Sequence, residues 1–131
     1  MTERQPLEQL VIRFTEAFNR DDLEEVLALM SEDAIYDEFD GRRRCGRSEI
    51  RAAFEPQFRG DFGRIRFHTE DLFVDESEGK ALIRWRCSID KGGRTRFWRG
   101  LDILHVKDGR ITEKHTYAKA ERLRLEESPS A

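Results

Sequence analysis

A short run in the first third of the chain concentrates side chains that can transfer protons. Residues 34–41 read Ala-Ile-Tyr-Asp-Glu-Phe-Asp-Gly, so three carboxylates and a tyrosine fall in a segment with the pattern of a strand. Alternation places Tyr36 and Glu38 on one face and Asp37 on the other. If the first face is buried, the Glu38 carboxyl group lies inside the protein, which is costly unless the group is paired, neutral or used. Glu38 is therefore a candidate for abstracting a proton beside a carbonyl group or for activating a water.

The basic run that follows offers a simpler role for Glu38. Arg42, Arg43 and Arg44 come directly after the turn at Asp40 and Gly41, and any of the three could pair with an exposed Glu38. The same run precedes a predicted helix, so it could also hold an anionic group at a pocket mouth. A solvated charge run is the other interpretation.

Asp102 is the second candidate acid. It lies between apolar neighbours, on a predicted strand face shared with Trp98 and Leu104, and a buried acid in such a place usually has a partner. It could bear a proton and donate a hydrogen bond, or it could form a salt bridge with Lys114 on the neighbouring strand. His68 and His105 could act in acid–base chemistry, but each is predicted on the strand face opposite the presumed pocket residues. No spacing of His, Asp and Glu residues indicates a metal site.

Apolar side chains that could line a ligand pocket are spread over the third helix and the long strands. They could equally be ordinary core residues, as most such aromatics are. The residues concerned are Phe54, Phe58, Ile83, Trp85, Cys87 and Trp98.

The composition limits the class of protein. The chain has 131 residues, 37% of them hydrophobic and 39% charged, which fits a single domain spanning residues 1–131 with one core. A formal net charge of -3 gives no reason to expect nucleic-acid or membrane binding. Cys45 and Cys87 have no Cys-x-x-Cys spacing, and the N-terminus has no apolar signal region. We therefore expect a soluble cytoplasmic protein with free thiols and no cofactor.

The hydrophobic period predicts the order of the elements. A spacing of 3.6 predicts helices over 7–19 and 22–30 and a third from Ser48 that Pro56 bends or shortens. The focal strand lies between the second and third helices. From residue 64 the period changes to two, which predicts four antiparallel strands that run to residue 119, with turns at 75–79, 91–93 and 107–109. The tail 121–131 is charged. This order predicts an α+β fold with the helices on one side of a strongly bent sheet.

Several short motifs accompany this order of elements. They are Arg13-Phe14, Asp21-Asp22-Leu23, Ala28-Leu29-Met30, Asp33-Ala34, Gly41, Gly46-Arg47 with Ile50 and Phe54, Gly100-x-Asp102, and Asp108-Gly109-Arg110-Ile111. In this order and spacing the motifs resemble the nuclear transport factor 2-like superfamily, and more narrowly its branch of ketosteroid isomerases and SnoaL-like polyketide cyclases. The resemblance covers about residues 5–120, and it implies a fold more specifically than a reaction.

The resemblance implies a cone-shaped half barrel whose curved sheet wraps a pocket for a small hydrophobic molecule. It also implies a homodimer that packs sheet against sheet. Basic and histidine side chains on the outer strand faces would suit such a surface or a solvated one; they are Arg84, Arg86, Arg99, His105 and His115. If the last strand keeps the family register, Lys114 and Thr116 face the pocket, and a slip of one residue reverses these faces.

The resemblance also assigns site residues. In the isomerase, a carboxylate at the end of the first strand moves the proton, and Glu38 matches it. A tyrosine and a protonated aspartic acid stabilise the oxyanion; Asp102 matches the acid, but Phe14 stands at the tyrosine position, and Tyr36 could supply a substitute hydroxyl. The resemblance thus implies a proton-transfer isomerase, cyclase or hydratase acting on a hydrophobic carbonyl compound. The alternative is a non-catalytic dimeric module that binds a small ligand or a protein.

Overall fold

Three helices cover one face of a six-stranded sheet in the computed structural model, which describes residues 6–120, 122 and 125–126. The helices are α1 (Pro6–Asn19), α2 (Leu23–Ala28) and α3 (Gly46–Phe58). The strands are β1 (Met30–Asp37), β2 (Arg43–Cys45), β3 (Arg64–Asp75), β4 (Lys80–Lys91), β5 (Arg94–Lys107) and β6 (Arg110–Ala118). The predicted α+β class and element order are confirmed.

The sheet has the order β2-β1-β6-β5-β4-β3, and it is antiparallel except where β1 runs parallel to β6. The last four strands form the predicted meander. Gly92 and Gly93 connect β4 to β5 with φ values of 59° and 75°, a backbone that two-residue hairpins need and that glycine adopts without strain. Within the described residues, no helix has the length and apolar character needed to cross a membrane.

The helix boundaries differ from the sequence prediction in two places. The second helix ends at Ala28 and Met30 already opens β1, because the following chain pairs with β6 instead of continuing the helix. The third helix begins at Gly46, so Ser48 lies inside it and does not cap it. Pro56 lies within α3, which nevertheless continues to Phe58.

Two strand features were missed. The basic run after the focal strand is partly β2, which pairs with β1 through Tyr36 and Arg44 among others. In β3 a bulge between Thr69 and Asp71 shifts the alternation, so that Leu72 pairs with Ile83. The unbroken alternation predicted there is therefore wrong beyond the bulge, which re-aims the side chains that follow it.

The core fills the space between the helices and the inner face of the sheet. Met30, Ile50, Leu104 and Ile111 are almost completely inaccessible to solvent. The stripe predicted on α1 is buried, including Phe14 and others of its face. On the outer face of β5, by contrast, Phe97 is 54% exposed, so the single chain does not cover both faces of this strand, although both carry apolar residues.

Candidate functional site

Two neighbouring strands bring charged side chains into the interior. Asp102 on β5 is the direct cross-strand partner of Thr116 on β6, and Lys114 lies two residues before Thr116 on the same inward face. All three are buried, with between 6% and 8% of each residue exposed. The last strand therefore has the register in which Lys114 and Thr116 face inward, while Tyr117 on the outer face is exposed.

Asp102 is the acceptor at the centre of a buried polar network. Lys114 Nζ lies 2.9 Å from Asp102 Oδ1, the Thr116 hydroxyl donates to the same oxygen, and Trp85 Nε1 donates to Oδ2 over 3.0 Å. Lys114 Nζ also donates to Thr116 Oγ1 over 2.8 Å. The salt bridge that the sequence left as an alternative is thus present. With three donors directed at it, the carboxylate is placed to accept hydrogen bonds and not to donate one, contrary to the role that the isomerase resemblance implies.

Aromatic rings surround the ammonium group of Lys114. Its Nζ lies 4.6 Å from the centroid of the Tyr36 ring and 5.9 Å from those of Phe18 and Phe54. Burial lowers the pKa of Lys114, but the charge of Asp102, its hydrogen bond to Lys114 and the charges of Tyr36 and Glu38 together outweigh burial, so this pKa is raised. Burial raises the pKa of Tyr36 as well. The site therefore holds a protonated lysine in an aromatic environment at neutral pH.

Glu38 lies one residue beyond the end of β1, not inside the strand. Its Oε2 accepts a hydrogen bond from Arg44 Nε over 2.7 Å, and its side chain is 15% exposed. The pairing of Tyr36 with Arg44 across β1 and β2 brings the guanidinium to the acid. One of the three predicted arginine partners is therefore present, and the carboxylate must leave this guanidinium before Oε2 can accept a proton from a substrate.

A small cavity adjoins the network. It has a volume of about 20 Å³, enough for roughly one water molecule. A wider depression of about 370 Å³ lies outside it, against α1 and β3, and the two share Thr15, Phe67 and Ile83. The lining of the inner cavity consists of Phe14, Thr15, Phe18, Phe67, Ile83, Trp85, Asp102 and Lys114.

The cavity brings together some of the predicted ligand-binding residues and leaves out others. Phe14 lines it beside Asp102, and this phenylalanine, which the resemblance matched to a tyrosine, brings no hydroxyl to the site. Tyr36, Glu38 and Thr116 are not among its lining residues. A larger depression of about 440 Å³ lies at the N-terminal end of α1 and contains none of the predicted site residues.

The remaining predicted aromatics pack around the cavity instead of lining it. Phe54 packs on Tyr36 with ring centroids 4.9 Å apart, and half-buried Phe58 contacts Phe18 at 5.4 Å. Trp98 is half-buried and lies edge-on to Trp85 at 5.4 Å. These three residues therefore pack behind the side chains that line the cavity.

Three lining residues were not predicted as site residues. They are Thr15, Phe18 and Phe67. Phe18 and Phe67 belonged to apolar stripes that the sequence already displays, so the signal for an inward position was present. Thr15 gave no such signal, because it is polar and lies beside the helix stripe.

The fold and the buried polar network in its interior define the class of protein. A family model for the SnoaL-like domain matches residues 11–114. The chain belongs to the SnoaL-like family, and its fold is that of the nuclear transport factor 2-like superfamily, as the motifs predicted. A comparison with curated proteins gives no match.

Solved structures with the same fold include proteins of several descriptions. A candidate polyketide cyclase from Xanthomonas campestris pv. campestris is 27% identical, with a TM-score of 0.75 over 88% of this chain and 92% of that one. A nuclear transport factor 2-like protein of unknown function from Mesorhizobium loti is 25% identical, with a TM-score of 0.74 over 92% and 98%. TerC, crystallised with polyporic acid, is 14% identical, with a TM-score of 0.73 over 88% and 92%, and shares the fold alone.

Proposed function

We propose that this chain binds a small hydrophobic compound that carries a carbonyl or acidic oxygen, and that Lys114 donates a hydrogen bond to that oxygen. The observation that carries the proposal is a buried, protonated lysine at the edge of a cavity with aromatic walls. An ammonium has three N–H donors, and among the described residues two of them are accounted for by Asp102 and Thr116. The third is available for a ligand oxygen.

The dimensions suggest how such a ligand would lie. The inner cavity of about 20 Å³ has room for one oxygen-sized group, whereas the outer depression of about 370 Å³ has the size of a small-molecule site. The apolar body would occupy the depression and its oxygen would pass Thr15, Phe67 and Ile83 to reach Lys114. The fold neighbour described as a candidate polyketide cyclase, 27% identical, supports this class of ligand.

Binding can be tested with 2-hydroxy-1,4-naphthoquinone as the probe. Amide chemical shifts should move at Thr15, Phe67 and Ile83, and Thr15→Leu should weaken binding by at least about tenfold because it narrows the passage. Glu55→Leu is the matched control, since Glu55 is exposed on α3, away from the cavity. Binding that is absent, or that is equal in Thr15→Leu and the wild type, would refute the proposed site.

Proton transfer by Glu38 is the second candidate function. Glu38 follows the strand that carries Tyr36, and its side chain is only 15% exposed. It would remove a proton next to the carbonyl group while Lys114 stabilises the resulting enolate oxygen, as in an isomerase, cyclase or hydratase. The ion pair with Arg44 is the reason we rank binding above catalysis, because the base must first leave its partner.

Hydrogen–deuterium exchange at the α-carbon of 2-tetralone separates the two functions. A catalyst with Glu38 as its base should speed the exchange in D₂O. Glu38→Gln should lower the catalysed exchange rate by about 10²-fold or more. Asp40→Asn is the control, because Asp40 is another carboxylate of the same turn, bonded to the Arg42 backbone. If the protein binds the naphthoquinone but the tetralone exchanges no faster than in buffer, the binding function stands and the catalytic function is excluded for this class of probe.

The outer sheet face supports the further proposal of a homodimer. Phe73, Phe97 and Tyr117 are 63%, 54% and 59% exposed there, which is unusual for large apolar side chains and typical of an interface. Sedimentation of the wild type and of Tyr117→Glu tests it, and a monomer in both would refute it. A cytoplasmic location remains our proposal from the two free cysteines.

A further inference from the structure

The outer face of the sheet carries a second cluster of titratable side chains, unrelated to the interior network. His105 on β5 and Glu113 on β6 are direct cross-strand partners, and His115 lies two residues further along β6 on the same face. Their candidate ligand atoms all lie within 4.8 Å of one another. Asp37 on β1 is the cross-strand partner of His115, so three adjacent strands converge on this point.

We propose that His105, Glu113 and His115 form a binding site for a divalent first-row transition ion of the Zn²⁺ class. Two imidazoles and one carboxylate are a ligand set that such ions favour. With metal–ligand bonds of about 2.0–2.2 Å, tetrahedral ligands lie about 3.3 Å apart. Glu113 Oε1 lies 2.9 Å from His115 Nε2, and the other oxygen, Oε2, lies 3.3 Å from His105 Nδ1, so side-chain rotations would be needed to bring the three residues to one ion.

The contacts of His115 show which of its nitrogens an ion would use. Its Nδ1 lies 2.7 Å from Asp37 Oδ2, and its Nε2 lies 2.9 Å from Glu113 Oε1. Nε2 therefore points toward Glu113, where the ion would lie, and Nδ1 points toward Asp37. With the ion on Nε2, Asp37 would accept the Nδ1 proton and fix the tautomer, as carboxylates beside metal-bound histidines do.

The three side chains of the cluster are partly exposed in the single chain. The side chains of His105, Glu113 and His115 are 33%, 34% and 20% exposed. Three protein ligands leave at least one coordination position for water, as in zinc sites that are not purely structural. Sequence spacing could not reveal the site, because its residues come from separate strands and only the register brings them together.

The test uses the full chain without a histidine tag, with Zn²⁺ in calorimetry and Co²⁺ in visible absorption. We expect one Zn²⁺ per chain with a Kd of about 10 μM or lower at neutral pH, and a Co²⁺ spectrum of a four- or five-coordinate site. His105→Gln and His115→Gln should each weaken binding by at least about tenfold, and Asp37→Asn by about 10–100-fold as a positioning residue.

The chain provides matched controls. His68 is the third of its three histidines, exposed and bonded to Ser88, so His68→Gln should leave Zn²⁺ binding unchanged. Cys45→Ser should also have no effect, since Cys45 is exposed but outside the cluster. The proposal is overturned if the wild type binds no Zn²⁺, if Cys45→Ser abolishes binding, or if all three histidine variants lose it equally. It is also overturned if NMR shows that His115 keeps a proton on both ring nitrogens in the presence of excess Zn²⁺.

Discussion

The buried ion pair between Asp102 and Lys114 predicts a strong energetic coupling. Their side chains are 10% and 8% exposed, and Lys114 Nζ lies 2.9 Å from the carboxylate. Lys114→Met removes the ammonium and leaves the buried carboxylate without its countercharge, which should lower the free energy of unfolding by about 3–5 kcal/mol. Asp102→Asn leaves a buried ammonium unpaired and should cost about as much.

The double variant Asp102→Asn/Lys114→Met should be more stable than either single variant. It contains no unpaired charge, and an amide oxygen at position 102 can still accept from Trp85 Nε1 or Thr116. Independent sites would instead add to about 6–10 kcal/mol, which is comparable to the whole stability of a domain. Urea unfolding at neutral pH, followed by circular dichroism, measures the four corners of this cycle. Additive costs, or a loss below about 1 kcal/mol in Lys114→Met, would refute the coupling.

The pH dependence of the free energy of unfolding above neutral pH tests the same pair. The charged groups around Lys114, Asp102 first among them, outweigh burial and raise its pKa in the folded protein. The stabilisation is therefore complete below the unfolded pKa and is lost as the pH rises through the folded pKa. Burial raises the pKa of Tyr36, which acts in the same direction. The wild type should therefore lose stability as the pH rises above about 10, and the double variant should lose less. Equal losses in the two proteins would contradict the assignment to Lys114.

Three further outcomes follow from the packing. Burial raises the pKa of the Cys87 thiol to about 11, so a thiol reagent at about pH 8 should modify exposed Cys45 quickly and Cys87 only on unfolding. Cys45→Ser should remove the fast phase of modification, and a fast phase that persists in this variant would contradict the burial of Cys87. Gly100→Ala would place a Cβ 2.6 Å from Trp85 Cη2, and we expect a loss of about 1–3 kcal/mol in urea with an altered near-ultraviolet spectrum. Phe14→Tyr should change stability by less than about 1.5 kcal/mol, because the cavity beside it has room for an oxygen, whereas Phe14→Ala should cost about 3–5 kcal/mol; equal losses would contradict that space.

Much of the fold could be predicted because the periodic pattern is regular. Ala81, Ile83, Trp85 and Cys87 alternate in sequence and are all buried on one face of β4. The errors occur where a local event overrides the pattern. The bulge after Thr69 inserts one residue into the alternation, and no side chain in that stretch marks it.

The site was predicted in part, and the reason lies in what sequence spacing can convey. Asp102 stood out as a charge between apolar neighbours, and the inward position of Lys114 followed from the strand register that the family resemblance implies; their salt bridge was one alternative. The donors Trp85 and Thr116 could not be assigned, since their hydrogen bonds depend on rotamers and on the pairing of three strands. The cluster around His115 was invisible for the same reason: proximity across strands is set by register, not by spacing along the chain.

Glu38 shows how a short local element can decide between two functions. Its position at the end of β1 matches that of a catalytic base, but β2 places Arg44 against it. Since the Arg44 side chain is 30% exposed and solvent screens its charge, the pair stabilises the protein only weakly, and ligand binding can overcome it. The interior pair of Asp102 and Lys114 is several times more costly to break. A ligand could therefore displace Arg44 from Glu38 while the interior network stays intact, so any proton transfer would be gated at the turn after β1 and not in the core.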